Sequence, residues 1–171
     1  MRRADPVEIS AVDLSAIENR LLAMPPVAAL ALRMAGFDGE RLTLDAPLDA
    51  NANDRGCAFG GSLASLMTLA GWALVNAHLD MARVRAHVYV ADSEIAYRTP
   101  LYADLRASAW LAEQAALESF FESLRRHGRG QLHVCSAIAS PDGSNAAESR
   151  SRFVAIQQNE SRADGVPATA C

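Results

Sequence analysis

Between Asn51 and Thr68 the chain places amides, glycines and hydroxyls, residue types that can hold a polarised carbonyl and a water without carrying charge. Gly60 and Gly61 open a run that reads as a long helix. Glycine permits close backbone approach and unusual dihedrals. A helix start leaves backbone N–H groups unpaired and carries a partial positive charge. Such an end can bind an anion, or the oxyanion that develops on a carbonyl under attack. Gly-Gly is equally a tight entry into a buried helix, since glycine is common at helix starts. Asn53 could hold a nucleophilic water in line, although an amide is no strong base. Asparagine is also a favoured turn residue, and Asn51 has the same two readings. Ser65 and Thr68 fall about one turn apart on adjacent helix faces. They are hydrogen-bonding hydroxyls at a site, or small packing residues bonded to the preceding turn.

The element that must position these groups is the run behind them. From Ala58 to Leu79 there is no Asp, Glu, Lys or Arg. Leu63, Leu66, Met67, Leu69, Trp72, Leu74 and Val75 put apolar side chains on every face, the mark of a buried helix. Counted from Gly61, its length of about 17–19 residues is near the lower limit for a bilayer span. Ser62, Ser65, Thr68 and Asn76 are spread through it, Gly71 interrupts it, and no second span or basic flank supports insertion. No membrane insertion is expected. Phe59 and Met67 either line an apolar acyl slot beside the helix or fill the core.

Around that helix the pattern alternates. Ala11 to Met24 has apolar residues at helical spacing, and Pro25-Pro26 stops it. Val27 to Met34 is a second helical turn or a packed connector. Arg41 to Leu48 alternates as the first strand, and Ala50 to Ala58 is the loop into the helix, which Asn76 and His78 are expected to end. Val84 to Val90 alternates again and continues through Ile95 and Tyr97. Its apolar parity switches, so a β-bulge is expected near Asp92-Ser93. Leu105 to Leu111, Gln131 to Ala139 and Ala146 to Ile156 are further strands, the last two joined by a turn at Pro141-Asp142-Gly143. Ala112 to Arg129 favours helix by composition. The expected organisation is a loose arm over 1–10, one domain over 11–156 and a polar tail over 157–171. Its class is α+β: one long apolar helix needs a sheet that curls around it.

Composition removes several kinds of function. A net charge of −4 gives no electrostatic case for nucleic acid. All sixteen basic residues are arginines, which excludes a lysine Schiff base, a lysine general base and a P-loop from this chain. Cys57, Cys135 and Cys171 form no pair or cluster of zinc spacing, so no metal is expected. A sparse, odd set of cysteines suits a reducing compartment, and a cytoplasmic protein is expected.

The run Asn51-x-Asn53-x-x-Gly56-x-x-Phe59-Gly60-Gly61-Ser62-Leu63, followed by a buried helix with Gly71-Trp72 and then strands, resembles the hotdog-fold thioesterases. It is most similar to a bacterial branch with Phe-Gly-Gly at the helix start. That branch is sometimes fused to a GNAT-type acetyltransferase, for which 171 residues leave no room. The resemblance covers about Leu30 to Ile156. It implies a hotdog fold, a curved antiparallel sheet wrapped around a central helix. Within Ala112 to Arg129 it implies a partly extended segment in place of the helix that composition favours.

By that resemblance the activity is hydrolysis of an acyl-CoA or acyl-carrier-protein thioester. The Gly60 or Gly61 amide would polarise the carbonyl, and Asn53 would position the water. Coenzyme A or phosphopantetheine enters only as part of the substrate, with no separate cofactor. Better-known members carry His where this chain has Phe59 and a helix carboxylate where it has Thr68. Glu94 or Asp92, reaching from a partner subunit, could supply a carboxylate. Arg55, Arg83, Arg85 and Arg98 are candidates to hold the thiol carrier. Members pair as homodimers, or dimers of dimers, through an edge strand. The replacements at Phe59 and Thr68 motivate a second reading, an acyl-thioester binding protein without turnover. A hydratase or dehydratase would need an acid/base pair, and none sits near Gly60-Gly61 in sequence.

Overall fold

The computed structural model describes residues 12–158, so the expected arm and almost all of the expected tail lie outside the described residues. In chain order the elements are α1 (Leu14–Leu22), α2 (Pro25–Ala28), β1 (Arg33–Phe37), β2 (Arg41–Ala46), α3 (Gly60–Met81), β3 (Ala86–Tyr97), β4 (Leu105–Leu111), α4 (Ala116–His127), β5 (Arg129–Ala139) and β6 (Asn145–Gln157). The six strands form one antiparallel sheet in the order β1-β2-β4-β5-β6-β3.

The uncharged run forms α3, and the sheet encloses it. Alternation sends Leu42, Leu44, Ala107, Ala109, Val134 and Phe153 to one face, where all are buried with the helix. Length and composition alone would let α3 cross a bilayer, yet 72% of its most apolar window is buried in the fold. Gly71 sets how closely helix and sheet approach. A Cβ there would stand 2.7 Å from the Phe153 ring and 3.3 Å from Val134. This is the sheet-around-helix arrangement that the resemblance implies.

The structure departs from the expected elements in three places. β1 forms within and just beyond the stretch taken as a helical turn or connector, held by pairing with β2 despite a register shift between Met34 and Gly36. α3 does not stop at Asn76 and His78 but continues to Met81. Asn76 Nδ2 donates to Trp72 O at 2.8 Å within the helix, and its Oδ1 accepts from the Arg20 guanidinium at 3.2 Å. α4 is a full helix where a partly extended segment was expected. Phe120 and Leu124 are buried, and Gly128 closes the helix in the left-handed conformation at φ 65°. Composition was the better guide there. The bulge in β3 falls between Val90 and Asp92, near Asp92-Ser93 as expected.

Candidate functional site at the start of the central helix

The loop 51–59 is a compact hairpin that delivers the chain to α3. Gly56 turns it at φ 76°, a conformation that favours glycine. Asn53 N–H donates to Cys57 O at 2.8 Å, and Ala52 pairs with Ala58. Asn51, only 2% exposed, is the pin that holds the hairpin down. Its Nδ2 donates to Leu30 O (2.9 Å) and Pro47 O (2.8 Å), and its own carbonyl accepts the Phe59 N–H at 2.7 Å. Ala58 N–H reaches Leu101 O at 2.8 Å. Asn51 is therefore a buried structural residue and not a wall of an open pocket.

Asn53 is half-buried and turned into its own loop. Its Oδ1 accepts from the amides of Arg55 (2.9 Å) and Cys57 (3.3 Å), which shapes the turn. Its Nδ2 donates to the Cys57 thiol at 3.2 Å. A thiol is a weak acceptor, so this hydrogen bond is a soft one. Arg55 is exposed at the tip of the hairpin.

Phe59 caps α3 through its backbone alone, with no side-chain hydrogen bond, and the first turn has no acidic residue. The first amides of the helix, those of Gly60, Gly61 and Ser62, thus lack an intrahelical partner. They stand at the positive end of a 22-residue helix. The Phe59 ring, 55% exposed, folds back over Gly61, where a Cβ would lie 2.3 Å from the ring. That approach explains the second glycine. At Gly60 a Cβ would meet the Tyr97 ring at an ordinary 3.6 Å. Tyr97 also donates its hydroxyl to Gly60 O at 3.2 Å. Two exposed aromatic rings therefore flank the helix start. Sequence reasoning found Phe59 and missed Tyr97; its signal was the shared parity of Ile95 and Tyr97 at the inner face of β3.

The remaining candidates divide. Ser65 is exposed and Thr68 half-buried, on the face of α3 that begins at Gly61. Met67 is 1% exposed and belongs to the core, so it is not an open slot residue. Glu94 and Asp92 lie on the outer face of the sheet, away from α3 in the same protomer. Glu94 is paired across strands with Arg150, and Asp92 is an ion-pair partner of Arg152. Arg98 pairs with Glu148. No carboxylate of this protomer is thus placed at the helix start by the residues singled out. Among the described residues no cluster of three or more His, Cys, Asp or Glu side chains could hold a metal.

Comparison with known proteins gives the family and the fold. The family described as "Putative thioesterase (yiiD_Cterm)" matches residues 15–157. A protein of unknown function from Chlorobaculum tepidum superposes with a TM-score of 0.80 at 23% identity, over 85% of this chain and 94% of its own. A thioesterase described as putative, from Shewanella oneidensis, gives 0.75 at 22% identity, over 84% and 96%. A thioesterase from Haemophilus influenzae gives 0.66 at 15% identity, over 90% and 97%. The likeness is one of fold, the antiparallel sheet around a central helix of the hotdog class.

Proposed function

We propose that this chain, which belongs to the family described as "Putative thioesterase (yiiD_Cterm)", hydrolyses acyl thioesters at the start of α3. The family match, across nearly all of the described residues, is the observation that carries this reading. The free amides at Gly60 and Gly61 give it a location.

The thioester carbonyl oxygen accepts hydrogen bonds from the Gly60 and Gly61 amides. The helix end stabilises the negative charge that develops on that oxygen. The carbonyl lies between the Phe59 and Tyr97 rings that flank the helix start. Asn53 holds the attacking water through Nδ2, exchanging its soft bond to the Cys57 thiol for one to the water. Thr68 and Ser65 offer further hydroxyls along the same helix face. Water adds to the carbonyl carbon, the C–S bond breaks, and the products are a carboxylic acid and a free thiol. A thiol leaves readily as thiolate near neutral pH, its ordinary pKa being about 8.5. The carrier is coenzyme A or a carrier protein's phosphopantetheine, with Arg55 at the mouth.

The second copy of a homodimer completes the site. β3 has 12 residues and, among the described residues, pairs only with β6 and leaves its other edge free. Tyr89, Val90 and Tyr97 are exposed along it. A long, partly apolar free edge is the kind that natural proteins cover or pair. A partner's Glu94 or Asp92 would then approach this protomer's helix start.

Phe59 and Thr68, with the Asn53 side chain engaged in its own loop, favour one other reading: a protein that binds acyl thioesters without turning them over. Free-thiol release from short, medium and long acyl-CoAs separates the two. Release above a protein-only blank is expected. Ligand-induced thermal stabilisation with no thiol released would establish the binding reading in its place.

A further inference from the structure

A backbone amide is one half of a peptide unit, and the Gly61 N–H shares its unit with the Gly60 carbonyl. The unit is trans, since no cis peptide bond occurs among the described residues. Its carbonyl and its N–H therefore point in opposite directions. A group that bonds to the Gly60 oxygen on one side bears directly on the N–H presented on the other.

The Gly60 oxygen has two partners. Within α3 it accepts from the N–H four residues on, as helical carbonyls do. Its second lone pair takes the Tyr97 hydroxyl at 3.2 Å. The helical bond alone would satisfy this carbonyl. The second bond comes from a separate element, and among the described residues it is the one side-chain hydrogen bond made to the backbone of Gly60, Gly61 or Ser62. Tyr97 is well placed to make it. It ends the pairing of β3 with β6, opposite Ala147. Just beyond it the N–H groups of Arg98 and Thr99 both donate to Ala146 O, at 2.8 and 3.2 Å. Arg98 is in turn ion-paired with Glu148. The strand end is thus fixed, and the exposed phenol is carried to the helix start. A peptide joining two residues without side chains is free to turn. Here the Tyr97 ring stands against Gly60, the Phe59 ring against Gly61, and the hydroxyl holds the oxygen between them.

We infer that Tyr97 is a positioning residue for hydrolysis. Its hydroxyl fixes the plane of the Gly60-Gly61 peptide, so that the Gly61 N–H is aimed at the thioester oxygen. It also makes that N–H a better donor. A bond accepted by a peptide oxygen polarises the whole unit, and chained hydrogen bonds strengthen one another by roughly 10–30% per bond. The gain is largest when the substrate oxygen is negatively charged, because bonds to ionised acceptors are about twice as strong as neutral ones. It therefore acts on the transition state more than on the bound substrate, and on kcat more than on KM. The inference rests on the thioesterase reading for what the Gly61 N–H receives.

Tyr97→Phe keeps the ring against Gly60 and removes only the hydroxyl, and two measurements on it separate the fate of this inference from the fate of that reading. The first is steady-state hydrolysis of acyl-CoA thioesters. A fall in kcat of about fivefold to twentyfold is expected, short of the hundredfold or more that follows loss of an oxyanion donor, with KM changed by less than about twofold. Equal kcat in a folded variant, or a loss confined to KM, overturns the inference and leaves the thioesterase standing. The second needs no turnover. A ketone analogue of butyryl-CoA, with a methylene in place of the sulfur and carbon-13 at the carbonyl, is bound to each protein and its carbonyl resonance recorded. Hydrogen bonding at the oxygen draws electron density from the carbon, so a downfield shift on binding is expected in the wild type and a smaller one in Tyr97→Phe. That result supports the positioning role even if no thioester turns over. The same shift in both proteins overturns it. A wild type that neither hydrolyses a thioester nor shifts the ketone resonance overturns both readings.

Discussion

At the scale of single residues the two asparagines of the loop separate structure from chemistry. Asn51 is buried, and its amide nitrogen holds the Leu30 and Pro47 carbonyls together. Asn51→Ala should cost about 2 kcal/mol of stability, the loss of two part-buried hydrogen bonds at about 1 kcal/mol each. A denaturant midpoint unchanged from wild type would contradict that role. Gly61 is needed because the Phe59 ring occupies the space of its Cβ. Gly61→Ala should displace an exposed ring at a stability cost of no more than about 1 kcal/mol, below the usual penalty for overpacking a closed core. Its kcat/KM should fall by roughly tenfold or more, because the aligned amides and the wall beside them move together. Much of this was legible in the chain itself. Asn53, Gly56, Phe59, Gly60 and Gly61 stand together because their spacing spells a loop running into a helix; that the loop is a hairpin came from the pairing of Ala52 with Ala58. Tyr97 was not legible, since its partner, the Gly60 carbonyl, is far off in sequence and only the curvature of the sheet joins them. Met67 lies in the core, and Glu94 faces away from α3 of its own protomer, for a simpler reason. A helix apolar on every side does not announce which face stays open, and a bulge in a strand decides which parity points outward.

At the scale of elements, the contact of α3 with the sheet carries the fold. Gly71→Ala should bring a methyl to within 2.7 Å of the Phe153 ring and destabilise by about 1–3 kcal/mol, as overpacking does. A chemical denaturation curve reads this directly, and a neutral result would mean the helix has more room than the structure shows. His78 makes the same helix sensitive to acid. Its ring is buried edge-on to Phe37 at 5.8 Å, and Nε2 has no partner among the described residues. Burial holds its pKa below the ordinary 6.5. The folded protein thus resists a proton that the unfolded chain accepts. Stability should be intact above pH 6.5 and fall progressively as the pH drops below it. His78→Phe should flatten that dependence in urea melts between pH 5 and pH 7.5; an unaltered slope would remove His78 from the account. The elements were legible where the pattern was strong, as in the alternation of β2, β4 and β5 and the uncharged length of α3. They were not legible where a segment owes its form to a neighbour. β1 is short, contains Gly36 and has little alternation, and it is a strand because β2 lies beside it. α4 formed as its own composition favours, capped by Gly128 and anchored by Phe120, against the extended form that the resemblance implied.

Among the described residues the sheet has one long unpaired edge, and function is expected to depend on covering it. The protein should elute as a dimer, and Val90→Lys, which puts a charge on the free edge of β3, should shift light-scattering mass towards the monomer. A monomeric wild type would remove the partner's Glu94 and Asp92 from the proposed site. The central claim is that the junction of loop and central helix hydrolyses thioesters, with Asn53 as the side chain that holds the water. The most direct test is single-turnover release of thiol by wild type and Asn53→Ala, side by side, with folding checked by circular dichroism. The account predicts a loss in the variant of about tenfold to a hundredfold, the scale of one positioned group. Equal rates in two folded proteins would contradict it.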